Sequence, residues 1–544
     1  MAEDQFSDET LDVVRNIKAA AESNEESRVY ALASDALDRG FRHPMLFNAR
    51  AIQLGRQGLY YDALVDIEAA LAFEPHNPFL LKAAGECLLK LGVWQAACRA
   101  FGAAIESAPN MVQAHYMRGL AFQMNGQRQA AISSHTRAIE LHPEYAEALG
   151  SLALISAAES KPENVELYAG RALALDPQQP TAHIALALKE LGDGNADKTE
   201  QRLRDLLNAA RFGDDPRANE VLREIGDRFD RMGNVPFAFA IYTEVNRKRR
   251  AIHERRFAGK RTSAEVALQT SYFLRVPPWG SSTVSAIQLD APASHIFILG
   301  FARTGTTLLE TVLASNDHVV AFDEKDCFPE EAKILLESEA GLDRLASLDE
   351  ETLERLRNGY WEKMREFGRP AGGKVFVDKW PFNSRRLPLI ARLFPDAKIL
   401  FTIRDPRDVV LSCFRRSFIM NPDTFEFLDL EDCARLYSGI MHLVFCAKEK
   451  LPLNMVEVRY ESVVADFDAQ ISRICSFIGL QWDEGMRDFA RAADGTVDLY
   501  AQSGREVRRG LYSGAGQWRR FAHELAPAFP ILQPWVEQFD YSTE

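Results

Sequence analysis

Two clusters of residues in the second half of the chain have the types and spacing that bind phosphate groups. The first is a glycine-rich stretch from Gly300 to Thr307 that follows the short apolar run His295–Leu299. Its spacing is that of a nucleotide-binding phosphate loop, whose backbone N–H groups surround an anion. Thr306 replaces the lysine that reaches a transferred phosphoryl group, which argues against a kinase-like enzyme. A strand-to-helix turn without a ligand is the alternative interpretation.

The second cluster begins at Arg404, which ends another apolar run, and continues to Ser412 and Arg416. Ser412 lies about two helical turns after Arg404, and Arg416 is four residues beyond Ser412, so a helix brings them close together. Guanidinium groups and a hydroxyl suit a dianionic phosphate, which predicts a second phosphate site. Surface ion pairing through Asp405 and Asp408 is the alternative role for the remaining charges.

Both clusters follow apolar runs of the kind that a buried parallel strand requires. Such runs alternate with helical stretches through the second half: His295–Leu299, His318–Phe322, Lys374–Asp378, Lys398–Ile403 and Met455–Arg459. The alternation predicts a doubly wound α/β domain with a mainly parallel sheet. Ligands of such sheets bind at the carboxyl ends of the strands, so we expect both clusters at that edge.

The first half of the chain is a repeat array with a period of 34 residues. Three copies carry a turn glycine, two alanines and a proline in strict register: Gly58, Gly92 and Gly126; Ala63, Ala97 and Ala131; Ala70, Ala104 and Ala138; Pro75, Pro109 and Pro143. Small residues let two antiparallel helices approach, and proline ends the second helix. A fourth copy keeps its alanines but lacks the turn glycine. The pattern predicts an all-α solenoid over about residues 28–245.

The ordered motifs of the two halves resemble known families. The repeats resemble tetratricopeptide repeats. The stretch 294–540 resembles sulfotransferases through GFARTGTTLLE, the long segment that begins with VDKWPF and ends with the residues around Arg404, Arg459-Tyr460-Glu461 and Gly516-Gln517-Trp518-Arg519-Arg520. The combination is most similar to bacterial sulfotransferases with N-terminal tetratricopeptide repeats, whose catalytic part is akin to tyrosylprotein sulfotransferases. The resemblance implies a tetratricopeptide-repeat solenoid followed by an α/β, P-loop-like sulfotransferase domain with a mainly parallel sheet.

The resemblance also implies a donor, 3′-phosphoadenosine 5′-phosphosulfate, and the residues that bind it. In the family the phosphate loop binds the 5′-phosphosulfate, the second cluster holds the 3′-phosphate, and the late tryptophan-basic motif closes over the nucleotide. The cofactor-binding residues are then Arg303, Thr304, Gly305, Thr306, Thr307, Arg404, Ser412, Arg416, Ser513, Trp518, Arg519 and Arg520. The product is adenosine 3′,5′-bisphosphate, and no metal is expected. A core aromatic is the alternative role for Trp518.

Three catalytic residues follow from the same resemblance. Glu324, just after the second predicted strand, matches the family's general base, and Lys379 matches the lysine held near the transferred group. Arg303 and Lys379 would stabilise the charge that develops on the leaving oxygen. The family shows a glycine before the base, whereas this chain has Asp323, so Asp323 and Asp326 compete with Glu324 for the role. A solvated acid and a simple ion pair are the alternatives for Glu324 and Lys379.

Length and charge organise these features into domains. With 544 residues the chain is too long for one compact unit. We expect a tetratricopeptide-repeat array over 1–250, a basic linker over 251–290 and a sulfotransferase domain over 291–544, with the boundary near the Pro- and Ser-containing stretch 277–292. The formal charge of −14 argues against nucleic-acid binding. The basic residues from Arg247 to Arg261 are better explained as part of a solvated connecting helix.

Composition also predicts the location of the protein. No apolar run reaches the roughly 18 residues that a membrane helix needs. The acidic first residues lack the basic-then-apolar order of a signal peptide. Seven cysteines without a C-x-x-C pair predict reduced thiols instead of disulfides or a zinc site. We therefore expect a cytoplasmic protein.

Two functions follow as hypotheses. The first is a sulfotransferase that moves a sulfuryl group to a hydroxyl of a polypeptide, or of another bulky acceptor, presented by the concave face of the repeats. The second is a repeat-based interaction scaffold with a nucleotide-binding but inactive sulfotransferase-like domain. Tyrosine, serine, a sugar and a small phenol all offer a hydroxyl. The sequence leaves the acceptor and the oligomeric state, including a homodimer, open.

Overall fold

A computed structural model describes residues 7–23, 25–208, 216–257, 259–280, 292–366, 372–489 and 514–542. The chain forms two compact units, Met1–Ala258 and Gly259–Glu544. The division lies inside the stretch 251–290 that the sequence analysis assigns to a basic linker. Among the described helices, none combines the length and apolar character that a bilayer-crossing segment needs.

The first unit consists of helices that pack in antiparallel pairs. They are α1 (Asp8–Glu22), α2 (Glu26–Asp38), α3 (Pro44–Arg56), α4 (Tyr60–Leu71), α5 (Pro78–Leu91), α6 (Trp94–Ser107), α7 (Val112–Met124), α8 (Arg128–Leu141), α9 (Ala146–Ala158), α10 (Pro162–Leu175), α11 (Pro180–Gly192), α12 (Ala196–Asn208), α13 (Pro216–Arg231) and α14 (Val235–Phe257). Each hairpin packs against the next along the chain. The predicted all-α solenoid is confirmed, and the basic residues Arg247–Arg256 lie on α14.

Left-handed turns join the two helices of a repeat. Gly58, Gly92 and Gly126 have φ angles of 77°, 80° and 71°, a conformation that glycine adopts without steric cost. In the fourth copy Ser160 takes the equivalent place with φ 56°, so the turn persists without its glycine. The alanines that recur in register between the helices are fully buried. The period therefore arises from close helix contacts joined by identical turns.

The hairpins of the array differ in how much apolar surface they expose. Every residue of α9 from Ala148 to Ser156 is buried, and α13 contacts both α11 and α7. The earlier hairpins expose several large apolar side chains. These are Ile52, Tyr61, Val65, Phe73, Phe79 and Val93, each between 43% and 69% exposed.

The second unit is a parallel sheet with helices on both faces. Its elements are α15 (Thr262–Arg275), β1 (Ser294–Leu299), α16 (Thr306–Ala314), β2 (Val319–Asp323), α17 (Glu330–Lys333), α18 (Glu339–Ala346), α19 (Glu350–Glu366), β3 (Val375–Lys379), α20 (Leu387–Leu393), β4 (Lys398–Ile403), α21 (Pro406–Phe414), α22 (Pro422–Phe425), α23 (Leu430–Lys450), β5 (Asn454–Arg459), α24 (Tyr460–Ala465), α25 (Phe467–Ile478) and α26 (Phe529–Gln538). The strand order is β2-β3-β1-β4-β5. All five predicted strands are confirmed.

Alternating side chains of β1 enter two separate cores. Ile296 and Ile298 pack with α16 and α25 on one face, whereas Phe297 and Leu299 pack with α20 and α23 on the other. In the parallel register Lys379 of β3 lies opposite both Ile298 of β1 and the end of β2. The loops that follow β1, β2 and β3 therefore open at the same edge of the sheet. α15 packs against α23, so the second unit begins before the stretch 277–292.

Candidate functional site

The loop between β1 and α16 requires its two glycines. Gly300 and Gly305 have φ angles of 153° and 100°. A Cβ atom at Gly300 would lie 2.3 Å from Thr402 Oγ1, and one at Gly305 would lie 2.7 Å from the ring of Tyr460. Gly305 is also the N-cap of α16, whose first N–H groups have no acceptor within the helix. The loop thus has the geometry of an anion site at a helix N-terminus.

The threonines of this loop have different environments. Thr304 is 1% exposed, and its hydroxyl donates to Phe301 O at 2.6 Å and lies 2.6 Å from Thr402 Oγ1. Its hydroxyl therefore stabilises the loop from inside, although the sequence analysis assigns Thr304 to cofactor binding. Thr306 and Thr307 open α16, where their backbone N–H groups belong to the helix N-terminus.

Two predicted catalytic residues have a backbone conformation that is uncommon for residues with a side chain. Arg303 has φ 71° and Glu324 has φ 50°. Such residues concentrate at binding and catalytic sites, because the surrounding structure must hold them against a steric cost. Glu324 is held by its backbone N–H, which donates to Lys379 O at 2.8 Å.

Arg303, Ser412 and Arg404 lie together beside the loop. Arg303 Nε donates to Ser412 Oγ at 2.9 Å, and Arg404 Nη1 donates to Arg303 O at 3.0 Å. The guanidinium of Arg404 lies 4.8 Å from the centre of the Tyr460 ring. Arg404 Nε is buried and has no hydrogen-bond partner among the described residues. The two clusters found in the sequence therefore meet at one edge of the sheet.

A short segment near the end of the chain, Gly514–Trp518, is anchored at this edge and is called the late segment below. Arg404 Nη2 donates to Gly514 O at 2.6 Å. Asp408 Oδ2 accepts from Gly516 N at 2.6 Å, and Asp408 Oδ1 accepts from Trp518 N at 2.8 Å. Asp408 is 1% exposed, and burial raises its pKa to about 6. The alternative of a surface ion pair at Asp408 is wrong, because the residue is buried and binds backbone N–H groups.

The tryptophan of the late segment is a buried residue. Trp518 is 5% exposed, and the guanidinium of Arg407 lies 3.7 Å from the centre of its ring. The side chains of Arg519 and Arg520 are exposed. Ser513, also assigned to cofactor binding, lies outside the described residues. Trp518 therefore has the buried surroundings of a core aromatic residue, the alternative that the sequence analysis gave for it.

The arginines after α21 complete this side of the site. Arg416 is half-buried, whereas Arg415 is buried. Arg415 Nη1 donates to Gln517 Oε1 of the late segment at 3.2 Å. Arg415 therefore contacts the late segment directly, although the sequence analysis names Arg416 as the cofactor ligand.

Lys379, at the end of β3, lies between two carboxylates. Its Nζ donates to Glu324 Oε1 at 3.1 Å and lies 3.4 Å from Glu310 Oε2. Lys379 is 1% exposed, whereas 58% of the Glu324 side chain is exposed. A buried ammonium group in a water-poor environment exerts a strong field on nearby developing charge. The Glu324 carboxylate is thus open to solvent, whereas Lys379 is not.

The competing carboxylate Asp326 has a different role. Asp326 Oδ1 and Oδ2 accept from Arg386 Nη1 and Nη2 at 2.7 and 3.1 Å, and Oδ2 also accepts from Lys333 at 2.8 Å. Burial alone would raise the pKa of Asp326, but Arg386 and Lys333 outweigh it and hold that pKa below its usual value. A carboxylate so engaged is a poor proton acceptor. The side chain of Asp323 is not among those described.

Another carboxylate, Asp378, is buried immediately before Lys379 in the chain. Asp378 Oδ2 accepts from the hydroxyl of Tyr360 at 2.7 Å, and Oδ1 accepts from Asn383 Nδ2 at 3.4 Å. Burial raises the pKa of Asp378 to about 7, and the Tyr360 bond opposes that shift. These bonds fix the end of β3 from the face opposite α16.

Sequence reasoning gave no role to Glu310 and considered Asp408 only as a surface ion-pairing residue. Glu310 lies in a mainly apolar helical stretch, Leu308–Leu313, whereas Asp408 follows the charged residues Arg404–Arg407 and only precedes an apolar run, Val409–Leu411. An acidic residue in such a stretch is buried on folding and needs a partner. That signal was present in the sequence for Glu310, although it does not name the partner.

Comparisons with known proteins give the family of the second unit. Residues 295–484 match the family model described as the sulfotransferase family, so the second unit carries a sulfotransferase-family domain. The chain is 28% identical over 195 residues to protein-tyrosine sulfotransferase A of Caenorhabditis elegans, which covers 35% of this chain and 50% of that protein. It is 25% identical over 255 residues to an uncharacterized protein of Aquifex aeolicus (strain VF5), which covers 45% of this chain and 33% of that protein. The chain thus spans half or less of these two relatives.

Solved structures match the first half of the chain. A thermophilic tetratricopeptide-repeat protein of Thermus thermophilus is 23% identical, and the match covers 33% of this chain and 98% of that one with a TM-score of 0.28. Within the described residues, no group of three or more His, Cys, Asp or Glu side chains is placed to hold a metal ion.

Proposed function

We propose that the second unit transfers a sulfuryl group from 3′-phosphoadenosine 5′-phosphosulfate to a hydroxyl acceptor. One observation carries the proposal: the loop before α16, the Arg404–Ser412 cluster and the Lys379–Glu324 pair lie at the same edge of the parallel sheet. The match of residues 295–484 to the sulfotransferase family supports it.

The residues present fit a nucleotide with two separate phosphate groups. The N-terminus of α16 offers backbone N–H groups to the 5′ end, and Arg404 with Ser412 suits the 3′-phosphate. Arg404 Nε, buried and without a partner among the described residues, is a donor that a phosphate oxygen would satisfy. When bound, the donor supplies a sulfuryl group on a phosphate oxygen that leaves as part of adenosine 3′,5′-bisphosphate.

The side chains at the reacting edge divide the work between proton transfer and charge stabilisation. Glu324 accepts the proton of the acceptor hydroxyl as the acceptor oxygen forms its bond to sulfur. The sulfur–oxygen bond to the phosphate breaks in the same step, and its electron pair stays on the phosphate oxygen. Lys379 and Arg303 stabilise that negative charge. Glu324 ends the step protonated and returns its proton to solvent, to which most of its side chain is exposed.

We assign acceptor binding to the helical array and propose a tyrosine-containing polypeptide as the acceptor. An array of helical hairpins offers an extended surface for a polypeptide. Its earlier hairpins expose large apolar and aromatic side chains, Tyr61 and Phe79 among them. The name of the Caenorhabditis elegans relative, a protein-tyrosine sulfotransferase, favours tyrosine over the other hydroxyls.

Transfer of label from ³⁵S-labelled donor to a tyrosine-containing polypeptide by the full chain tests the activity. Glu324→Gln should lower turnover by about 10²–10⁴-fold while the Kd for adenosine 3′,5′-bisphosphate stays within about threefold, or roughly 0.7 kcal/mol. Glu337→Gln, at an exposed glutamate away from the site, is the control. Nucleotide binding without transfer to any acceptor would instead support an inactive scaffold.

The role of the array is tested with the full chain and two acceptors. Tyr61→Ala and Phe79→Ala should raise the KM for a polypeptide acceptor and leave the KM for a small phenol unchanged. The reason is that a small phenol needs only the site in the second unit. Equal effects on both acceptors, or none on either, would contradict acceptor binding by these hairpins.

A further inference from the structure

We propose that Glu310 is a positioning residue for the transfer: its carboxylate keeps Lys379 charged and in place while Glu324 carries the acceptor proton. The inference rests on the proposed function, because it assigns Lys379 and Glu324 to the reacting edge. It gives a role to Glu310, to which the sequence analysis assigns none.

The geometry places Glu310 on the buried side of Lys379. Glu310 belongs to α16, one turn after Thr306, and α16 packs against β1, β2 and β3. Its Oε2 lies 3.4 Å from Lys379 Nζ, with 10% of the Glu310 side chain exposed. Glu324 approaches the same nitrogen at 3.1 Å from the exposed side. Lys379 is thus bound from the core by one carboxylate and from solvent by another.

Burial makes the two carboxylates unequal partners. Water screens the attraction between Lys379 and the exposed Glu324, whereas the attraction to Glu310 acts through protein. A buried lysine without such a partner loses its proton readily, because desolvation disfavours the charged form. Glu310 therefore supplies the steadier part of the stabilisation of the ammonium group.

The difference between the two carboxylates matters during the transfer step. When Glu324 takes the acceptor proton it becomes neutral, and its attraction for Lys379 falls at the moment when negative charge appears on the leaving oxygen. Glu310 keeps its charge through that step because it does not contact the acceptor. The Lys379 ammonium group can then bind the leaving oxygen in place of Glu324, while Glu310 continues to hold it and keeps it protonated.

The test is the pH dependence of kcat in Glu310→Gln, with Glu310→Asp as the conservative variant. The alkaline limb of the profile reports the loss of the Lys379 proton, and removal of the Glu310 charge should move it down by about one pH unit or more. At pH 8, kcat should fall about tenfold or more, while KM for the donor changes little. In Glu310→Asp, which keeps the charge, both the shift of the alkaline limb and the fall in kcat should be smaller.

A matched control separates this effect from general destabilisation. Glu265 is also a partly buried carboxylate in an ion pair, 2.7 Å from Arg385. Glu265→Gln should leave the alkaline limb where it is in the unmodified chain. If Glu310→Gln does not fold, Glu310→Asp carries the test, since its shorter side chain lengthens the distance to Lys379. An unmoved alkaline limb in a folded Glu310 variant would overturn the proposal.

A binding experiment distinguishes this failure from a failure of the proposed function. The Kd for adenosine 3′,5′-bisphosphate, measured by calorimetry from pH 7 to pH 10, should begin to rise at a lower pH in Glu310→Gln than in the unmodified chain. If the unmodified chain transfers no sulfate but this difference is found, Glu310 holds Lys379 and the proposed function fails. If transfer is found but neither pH dependence changes, the proposed function stands and the role of Glu310 is refuted.

Discussion

Replacement of Asp408 by asparagine should weaken nucleotide binding without a direct contact to the nucleotide. The two oxygens of Asp408 accept from Gly516 N and Trp518 N at 2.6 and 2.8 Å and so hold the late segment beside Arg404. Asparagine keeps one acceptor oxygen and presents an NH₂ group to the other backbone N–H. One charge-assisted hydrogen bond is therefore lost, which is worth about 1.5–3 kcal/mol.

That free energy predicts the size and pH dependence of the effect. We expect the position of the late segment to be coupled to nucleotide binding, so the Kd for adenosine 3′,5′-bisphosphate should rise about 10- to 150-fold at pH 8. Burial raises the pKa of Asp408 to about 6, so its carboxylate is charged at pH 8 and largely protonated at pH 5. Protonation of Asp408 in the unmodified chain removes the same hydrogen-bond acceptor. The affinity ratio of the two proteins should therefore approach one as the pH falls through 6.

Isothermal titration calorimetry at pH 8 and pH 5 measures this ratio. Because both proteins bind the same ligand, protonation of its phosphates cancels in the ratio. Asp396→Asn, at an exposed aspartate of the same unit, should match the unmodified chain at both values. A ratio near one at pH 8, or a ratio that is equally large at pH 5, would refute the role given to Asp408.

Three further changes test other parts of the site. Gly305→Ala should abolish nucleotide binding in a folded protein, because a Cβ there meets an aromatic ring at 2.7 Å and the φ of 100° is strained; unchanged affinity by calorimetry would contradict this. Arg404→Ala should weaken nucleotide binding about tenfold or more through loss of a charged hydrogen bond, whereas the chemical step at saturating donor should change little. Asp378 has a raised pKa of about 7, so its contribution to stability is present below about pH 4 and is lost as the pH rises through 7. The thermal midpoint of Asp378→Asn, relative to that of the unmodified chain, should therefore increase between pH 5 and pH 8. A difference between the two midpoints that stays constant would show that Asp378 does not titrate in this range.

The period of 34 residues and the apolar runs were sufficient to predict the secondary structure. Ala63 and Ala97 are buried where the repeat places them, and Gly58 takes the left-handed turn that the pattern requires. The five predicted strands form one parallel sheet. Such predictions succeed because hydrophobic periodicity and turn residues act within a few positions of the chain.

Some features of the site also followed from local sequence. Gly300 and Gly305 mark a loop whose close contacts exclude any Cβ atom, and the lack of a lysine at Thr306 was readable directly. Arg404 and Ser412 follow β4 and therefore lie at the edge that the strand order defines. The resemblance to sulfotransferases added roles to these positions, and those roles remain predictions.

The partners of the charged and polar side chains were decided by tertiary structure alone. Nothing near Asp326 in the sequence shows that Arg386 binds it, and this contact is what separates Asp326 from Glu324. The inward hydroxyl of Thr304 likewise depends on Thr402 from another strand. Hydrogen bonds and ion pairs of this kind join residues that are far apart in the chain.

The sequence by itself determined which elements form and which loops meet at the edge of the sheet, since each strand carries its own apolar pattern. Only the tertiary structure decided which groups the buried carboxylates bind. Glu310 faces Lys379 because α16 packs on β3, and Asp408 anchors the late segment because the chain returns to α21. The free energy of a charge depends on the burial and the partners that folding supplies, and the partners are not encoded in its immediate neighbours.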